Sequence, residues 1–230
     1  MKQQDFNLTD STCQPVAQTD GDLRKEFIEP PFTVLDARSG FWTERKKWWQ
    51  SVGIKGEIGR HAEVFRMATK NGKNISVFDP VLAECMYHWF CPQGGRILDP
   101  FAGGDTRGVV AVKKGFHYLG IDISEEQIAW NRASVENIFG GACSDIGYIC
   151  GDSNKVLDNI HMEFDMLFSC PPYASMERYS KKEDDISNMP YAKFLEVFKS
   201  ILEKGCRLLK PKLWSLVPEV CAVQSDVALL

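Results

Sequence analysis

The sequence predicts an α/β fold, a parallel sheet covered by helices. From about residue 76 onward, short apolar runs of strand character alternate with stretches of helical length. Glycine and proline punctuate the joins, as at Pro92 with Gly94-Gly95 and again at Gly115. The first three strand-like runs each end at an aspartate, Asp99, Asp122 and Asp152. Strand-helix alternation favours a parallel sheet, because each parallel pair needs a long crossover that a helix can supply.

Residues 1–30 lack periodicity and are rich in Asp, Thr and Gln, which predicts a flexible tail ended by Pro30-Pro31. Residues 31–75 form a basic and aromatic N-terminal extension. A helix is expected from Phe41 to about Val52, then a linker through Gly53, Gly56 and Gly59. Between 38 and 75, Arg38, Arg45, Lys46, Lys47, Lys55, Arg60, Arg66, Lys70 and Lys73 face only Glu44, Glu57 and Glu63. With Phe41, Trp42, Trp48 and Trp49 interleaved, this stretch suits a phosphate backbone. It suits equally an amphipathic helix with solvated charges and a tryptophan core face.

Residues 76–230 carry the alternating pattern. Asp79 can cap a helix and Pro80 is tolerated in its first turn, so a helix follows from Val81 to about Phe90. Arg96–Asp99 reads as the first strand, Thr106–Lys114 as a helix and His117–Asp122 as the second strand. A helix from about Ser124 to Asn137, a strand at Tyr148–Gly151 and a strand at Phe164–Ser169 come next. The last long helix runs from Pro190 to about Leu209, and Leu213–Val217 is the one candidate for a fifth strand.

At 230 residues, with 44% hydrophobic and 25% charged residues, the composition is that of a globular protein. No apolar run approaches the ~20 residues that span a bilayer. Met1–Asp10 is polar and acidic, unlike a signal peptide, so a cytoplasmic location and no membrane partner are expected. The eight cysteines include no C-x-x-C pair and the four histidines are scattered. No metal site is therefore expected, and the cysteines read as reduced, buried residues.

Asp99-Pro100-Phe101-Ala102-Gly103-Gly104-Asp105-Thr106 joins the first strand to its helix. Its glycines let the backbone approach a ligand at the carboxyl end of a sheet. The glycine spacing is not that of a dinucleotide loop, and no Walker lysine is present. The acidic-Pro-Phe opening suits a cationic ligand, with a carboxylate to accept from an ammonium and a phenyl ring packed below. Asp122 can accept from both hydroxyls of a ribose, or cap the next helix. Asp152 can accept from an exocyclic adenine amine, or equally serve as a cap.

The fourth strand leads into Cys170-Pro171-Pro172-Tyr173. Two consecutive prolines remove two amide donors and stiffen the loop, leaving carbonyl oxygens without competing N–H groups. An exocyclic base amine has its lone pair delocalised into the ring. Acceptors for its two N–H groups localise that pair, and an adjacent aromatic ring can stack on an extruded base.

These segments resemble the DNA amino-methyltransferases, the adenine-N6 and cytosine-N4 enzymes. Their cofactor motif D-P-F-x-G-S-G-T is similar to Asp99–Thr106, and their catalytic motif [DNS]-P-P-[YFW] is similar to Cys170–Tyr173. Phe78-Asp79-Pro80 resembles their tenth motif, beside the methionine end of the cofactor. The segment from Pro30 to Arg60 looks like that of phage and prophage members, so the resemblance covers about residues 30 to 210. It implies a Rossmann-like S-adenosylmethionine-dependent methyltransferase fold. S-adenosylmethionine is the implied cofactor, double-stranded DNA the implied partner, and adenine N6 the favoured acceptor over cytosine N4. The implied cofactor-binding residues are Phe78, Asp79, Pro80, Asp99, Pro100, Phe101, Ala102, Gly103, Thr106, Asp122 and Asp152. The implied catalytic residues are Cys170, Pro171, Pro172 and Tyr173.

The chain departs from the motifs in three places. Gly104-Asp105 replaces Ser-Gly, and Cys170 replaces Asp, Asn or Ser. A thiol is a weak hydrogen-bonding group, so the Pro171 carbonyl has more of the task, while Ser169, one residue off, is expected to point elsewhere. After Lys210-Pro211-Lys212 the helix-strand alternation stops, and a truncation or altered reading frame near Pro211 is expected, with weak activity and an uncovered sheet edge. The alternatives are an RNA or protein-glutamine methyltransferase, or an inactive cofactor-binding remnant.

Overall fold

The structure is a computed structural model that describes residues 36–54, 78–172 and 184–211. Within them, helix α1 (Gly40–Ser51) starts at Ser39, whose hydroxyl accepts from the Trp42 amide at 3.3 Å. Helix α2 (Pro80–Phe90) is capped by Asp79, whose Oδ1 accepts from the Val81 amide at 2.9 Å. Strand β1 (Arg96–Asp99), helix α3 (Thr106–Lys113), strand β2 (His117–Asp122), helix α4 (Glu125–Phe139) and strand β3 (Ile146–Cys150) follow. Next come a short helix α5 (Ser153–Val156), a 3₁₀ turn (Leu157–Asn159), strand β4 (Met166–Leu167), a second 3₁₀ turn (Ile186–Asn188) and helix α6 (Tyr191–Arg207).

The four strands form one parallel sheet in the order β3-β2-β1-β4. Leu98 of β1 is in register with Leu119 of β2 on one side and with Leu167 of β4 on the other. The chain thus winds outward from β1 to β3, then crosses back to place β4 on the other side of β1. This is a doubly wound, Rossmann-like sheet, and the topological switch point lies between β1 and β4. Ligand crevices in such sheets open at the carboxyl ends of the strands at that point.

Side-chain alternation along the strands divides the core into two faces. Ile97, Tyr118, Ile146, Tyr148 and Met166 face a cluster that includes Trp42 and Trp49 of α1, Val81 and Tyr87 of α2, Val109 of α3 and Ile128 of α4. Leu98, Leu119 and Ile121 face the opposite cluster, with Leu157, Phe164 and Ile201 of α6. Helix α6 buries Phe194, Phe198, Ile201 and Gly205, a stripe at helical spacing.

Helix α1 settles into this core rather than standing off it. Arg45 is buried and donates through Nε and Nη2 to Glu84 of α2 at 2.8 and 2.6 Å. Trp49 Nε1 donates to the same carboxylate at 2.7 Å, and Lys114 Nζ lies 2.9 Å from it. The tryptophan face is thus a core face, as one of the two sequence readings had it. Residues 55–77 lie outside the described residues, as does the tail.

Helix α3 runs close against β2 and β3 because of Gly108. A Cβ there would stand 2.5 Å from Tyr148 Oη and 2.6 Å from Ile146 Cδ1. Overpacking of this kind costs about 1–3 kcal/mol, more than the gain of at most ~1 kcal/mol from better helix propensity. Gly108→Ala is therefore expected to lower the urea midpoint, and Gly108→Val to lower it further.

Some boundaries differ from those the sequence predicts. β3 begins at Ile146, two residues before the predicted Tyr148, with Ile146 and Gly147 in register with Tyr118 and Leu119. The regular part of β4 is two residues long, although its flanks still bond to β1 through Asp165 N to Arg96 O (2.8 Å) and Phe168 N to Leu98 O (3.0 Å). On the other side of β4, Phe164 forms a parallel bridge with Leu209, closed by Phe164 N to Leu208 O and Lys210 N to Phe164 O. A chain segment therefore already runs beside β4 at residues 208–210, while the expected fifth strand at 213–217 lies outside the described residues. Cys85, Cys91, Cys150, Cys170 and Cys206 are not in disulfides, but Cys143 is disulfide-bonded, against the reduced state expected for all eight. Among the described residues no helix is long and apolar enough to cross a membrane.

Candidate functional site

The carboxyl ends of the strands carry the loops singled out in the sequence. The loop from β1 to α3 turns at Gly103, whose φ of +51° lies in the region that glycine tolerates best. Its backbone is held at nearly every position. The Pro100 carbonyl accepts from Ser153 Oγ (2.5 Å), and the Phe101 and Ala102 carbonyls accept from Arg107 Nη2 (2.6 and 3.0 Å). The Gly103 carbonyl accepts from Asn131 Nδ2 at 2.8 Å. The Ala102 amide donates to the Ile121 carbonyl, and the Gly103 amide to Asp122 Oδ2, both at 2.9 Å.

Asp99 differs from its expected role. The sequence reading had its carboxylate accept from a ligand's ammonium, but Asp99 is fully buried and its oxygens are engaged within the chain. Oδ2 accepts from Arg107 Nε and Tyr118 Oη, each at 2.6 Å. Oδ1 accepts from Ser169 Oγ at 2.5 Å and from the Phe101 amide at 3.1 Å. The cation it meets is thus internal, the Arg107 guanidinium. Burial disfavours the charge on Arg107, yet the Asp99 carboxylate more than offsets this and holds the group above its ordinary pKa. The Phe78 ring covers the guanidinium at 4.7 Å and meets Phe168 edge-on at 5.7 Å.

Asp122 does not itself cap α4, whose N-cap is Ser124; its Oδ1 accepts from the Ser124 amide (2.8 Å) just ahead of that helix, while its Oδ2 braces the glycine turn through the Gly103 amide (2.9 Å). Asp152 caps α5 through the Asn154 amide at 2.9 Å, and its Oδ2 lies 3.4 Å from Lys155 Nζ. Asp79 is drawn toward α1, since its Oδ2 accepts from Trp42 Nε1 (3.2 Å) and Lys46 Nζ (2.9 Å). Ala102 and Thr106 are buried, and Pro80 starts α2. Cys170, Pro171 and Pro172 are half-buried after β4, and Tyr173 lies outside the described residues.

The structure therefore gathers Phe78, Asp99, Phe101, Ala102, Phe168 and Ser169 around the switch point. Arg107, Ser169, Asn131 and Ser153 were missed in the sequence. Arg107 had a visible signal: a lone cation inside the apolar run from Thr106 to Val112, all of it buried, demands a carboxylate partner.

Asp105, which replaces a motif glycine, turns inward. Its Oδ2 accepts from Ser134 Oγ at 2.5 Å, while Oδ1 is buried with no hydrogen-bond partner, as is Tyr148 Oη. Burial pushes its pKa up to about 6, with the Ser134 bond partly offsetting it. The folded chain thus binds a proton between the unfolded value of 3.8 and about 6 that the unfolded chain releases. Stability from this group is fullest at low pH and is lost as pH rises through about 6. Asp105→Asn is expected to raise stability at pH 8 by on the order of 1–3 kcal/mol. In paired urea titrations, that advantage shrinks on acidification from about pH 6 to pH 4.

No protein-family model matches the sequence. The 23S rRNA (uracil(747)-C(5))-methyltransferase of Pyrococcus abyssi is 24% identical over 146 residues, covering 60% of this chain and 33% of that protein. The putative methyltransferase YqeM of Bacillus subtilis is 26% identical over 144 residues, covering 60% of this chain and 50% of that protein. The chain thus spans half or less of the length of these relatives. Among solved structures, TrmN from Thermus thermophilus aligns over 66% of this chain and 40% of its own at 18% identity and a TM-score of 0.44. Among the described residues no group of three His, Cys, Asp or Glu side chains is placed to hold a metal ion.

Proposed function

We propose that this chain carries the S-adenosylmethionine-binding core of a methyltransferase that acts on a nucleic-acid base, with RNA as the substrate class. The observation that carries this reading is the meeting of two loops at one switch point. The glycine turn after β1 and the Cys170-Pro171-Pro172 loop after β4 stand side by side, bridged by Ser169 and Asp99. Both curated relatives are methyltransferases by name, and one acts on ribosomal RNA.

The residues fit the cofactor in part. The Gly103 turn allows close backbone approach, and the Asp122 and Asp152 carboxylates stand at the ends of β2 and β3, where a nucleoside would lie. Asp99 does not fit as a direct ligand, being saturated within the chain; its part is to hold the loop. When bound, the cofactor supplies an electrophilic methyl group on a sulfonium. The protein's task is positioning and electrostatics. The Pro171 carbonyl would accept an N–H of the acceptor amine and aim its lone pair, Tyr173 would stack on the base, and the proline pair would keep the loop stiff.

A second reading, double-stranded DNA as substrate, is favoured by the order of Phe78-Asp79-Pro80, Asp99–Thr106 and Cys170–Tyr173 along the chain. Incubating the full chain with methyl-labelled S-adenosylmethionine and, separately, total RNA, duplex DNA and protein decides between them. Label in RNA is expected, and label confined to DNA would establish the second reading. Label in protein alone, or in none of them, would reject both.

A further inference from the structure

We infer that Ser169 is a positioning residue: with Asp99 and Arg107 behind it, its hydroxyl fixes the spacing between the glycine turn and the Cys170-Pro171-Pro172 loop. This rests on the methyltransferase reading above. At the switch point β1 and β4 part, and the ladder between them reaches as far as Phe168 N to Leu98 O at 3.0 Å. One residue on, the Ser169 hydroxyl takes over. It donates to Asp99 Oδ1 at 2.5 Å and accepts from the Phe101 amide at 3.1 Å.

Asp99 is a rigid anchor for that bond. Arg107 Nε and Tyr118 Oη hold its other oxygen at 2.6 Å each, and burial denies it water. Arg107 continues the strut, reaching the Phe101 and Ala102 carbonyls from beneath. The Phe78 ring closes over the guanidinium. A continuous line of contacts thus runs from α3 through the glycine turn to the residue before Cys170. Ser169 lies two residues past the end of β4, where the chain leaves the sheet, and this is the point at which its hydroxyl reaches the polar end of this line.

A strut of this kind acts on rate more than on affinity, because methyl transfer needs donor and acceptor within a narrow range of distance and angle. Removing the hydroxyl leaves the nucleoside end of the crevice, at Asp122 and Asp152, untouched. Ser169→Ala in the full chain is expected to lower kcat by on the order of tenfold to 10²-fold. Its affinity for S-adenosylhomocysteine by calorimetry should stay within about threefold. Ser169→Thr, which keeps the hydroxyl, should recover most of the lost rate. Hydrogen exchange supplies a readout independent of turnover: the Phe101 amide, reduced from two acceptors to its 3.1 Å bond to Asp99 Oδ1, should exchange faster in Ser169→Ala and at the wild-type rate in Ser169→Thr.

Wild-type kcat in Ser169→Ala would overturn the inference. So would parallel losses of kcat, affinity and melting temperature with unchanged exchange at Phe101, the pattern of general destabilisation. If the wild-type chain transfers no methyl group, the proposed function fails and the exchange comparison still decides the strut. Faster exchange at Phe101 then supports it, and an unchanged rate overturns it.

Discussion

Asp99→Asn is expected to destabilise the fold by about 3–5 kcal/mol, the cost of removing one partner from a buried ion pair. Asp99 has no exposed surface and Arg107 is 4% exposed, so neither charge can turn to water. The asparagine amide has the right shape, but it carries no counter-charge for the guanidinium. Its NH₂ would also face a donor, Arg107 Nε or Tyr118 Oη on one side, Ser169 Oγ or the Phe101 amide on the other. Urea denaturation of the two chains at pH 7 measures the difference. In Asp99→Asn/Arg107→Met the unpaired charge is gone, and a large part of the loss should return as a coupling between the two sites. A cost below about 1 kcal/mol for the single variant would mean that the pair is solvated or replaceable.

Glu84→Gln is the second large effect, again about 3–5 kcal/mol. Glu84 is 2% exposed and is the one carboxylate that Arg45, Trp49 and Lys114 share. It ties α1 to α2 and to the residue that ends α3. Glutamine leaves two buried or half-buried cations facing an amide, so α1 should loosen first. The emission of Trp42 and Trp49, both core residues, should shift to the red at urea concentrations below the main transition. The pH dependence has a definite sign. Burial raises the Glu84 pKa, but hydrogen bonds from Arg45 and the charges of Lys114 and Arg45 outweigh it and leave it below the ordinary 4.5. Stability from this group is therefore present above 4.5 and lost as pH falls through the folded value. The gap between wild type and Glu84→Gln should hold at neutral pH and close only on stronger acidification. This is opposite in sense to Asp105, whose contribution grows as pH falls.

The α/β architecture was legible because local signals and the global pattern agree. Arg96–Asp99 and His117–Asp122 are bounded by turn residues and end in carboxylates, and both strands occupy those residues. Asp79-Pro80 gave a helix start through capping chemistry that acts within three residues. What stayed hidden depends on long-range pairing. Nothing near Arg107 in the sequence says that it will meet Asp99, because the contact exists only once α3 has folded back over β1. The same holds for Arg45 and Lys46, whose charges the sequence alone assigns to a phosphate backbone or to solvent. The fold gives them Glu84 and Asp79, 39 and 33 residues away. Strand parity turns Ser169 from the Cys170 direction, but β4 ends at Leu167, and beyond it the chain brings the Ser169 hydroxyl to Asp99, a contact that alternation along the strand does not predict. The short helix Ser153–Val156 was too brief to show a period, yet it supplies the Ser153 bond to Pro100.

The proposed function requires a nucleoside-sulfonium site at the carboxyl edge of the sheet. Calorimetric titration of S-adenosylmethionine into the full chain, beside Asp122→Ala, tests it most directly. Saturable binding to the wild-type chain at one site, abolished or strongly weakened in a folded Asp122→Ala, is the predicted result. A wild-type chain that melts cooperatively yet takes up no S-adenosylmethionine, or an Asp122→Ala that binds it unchanged, would contradict it.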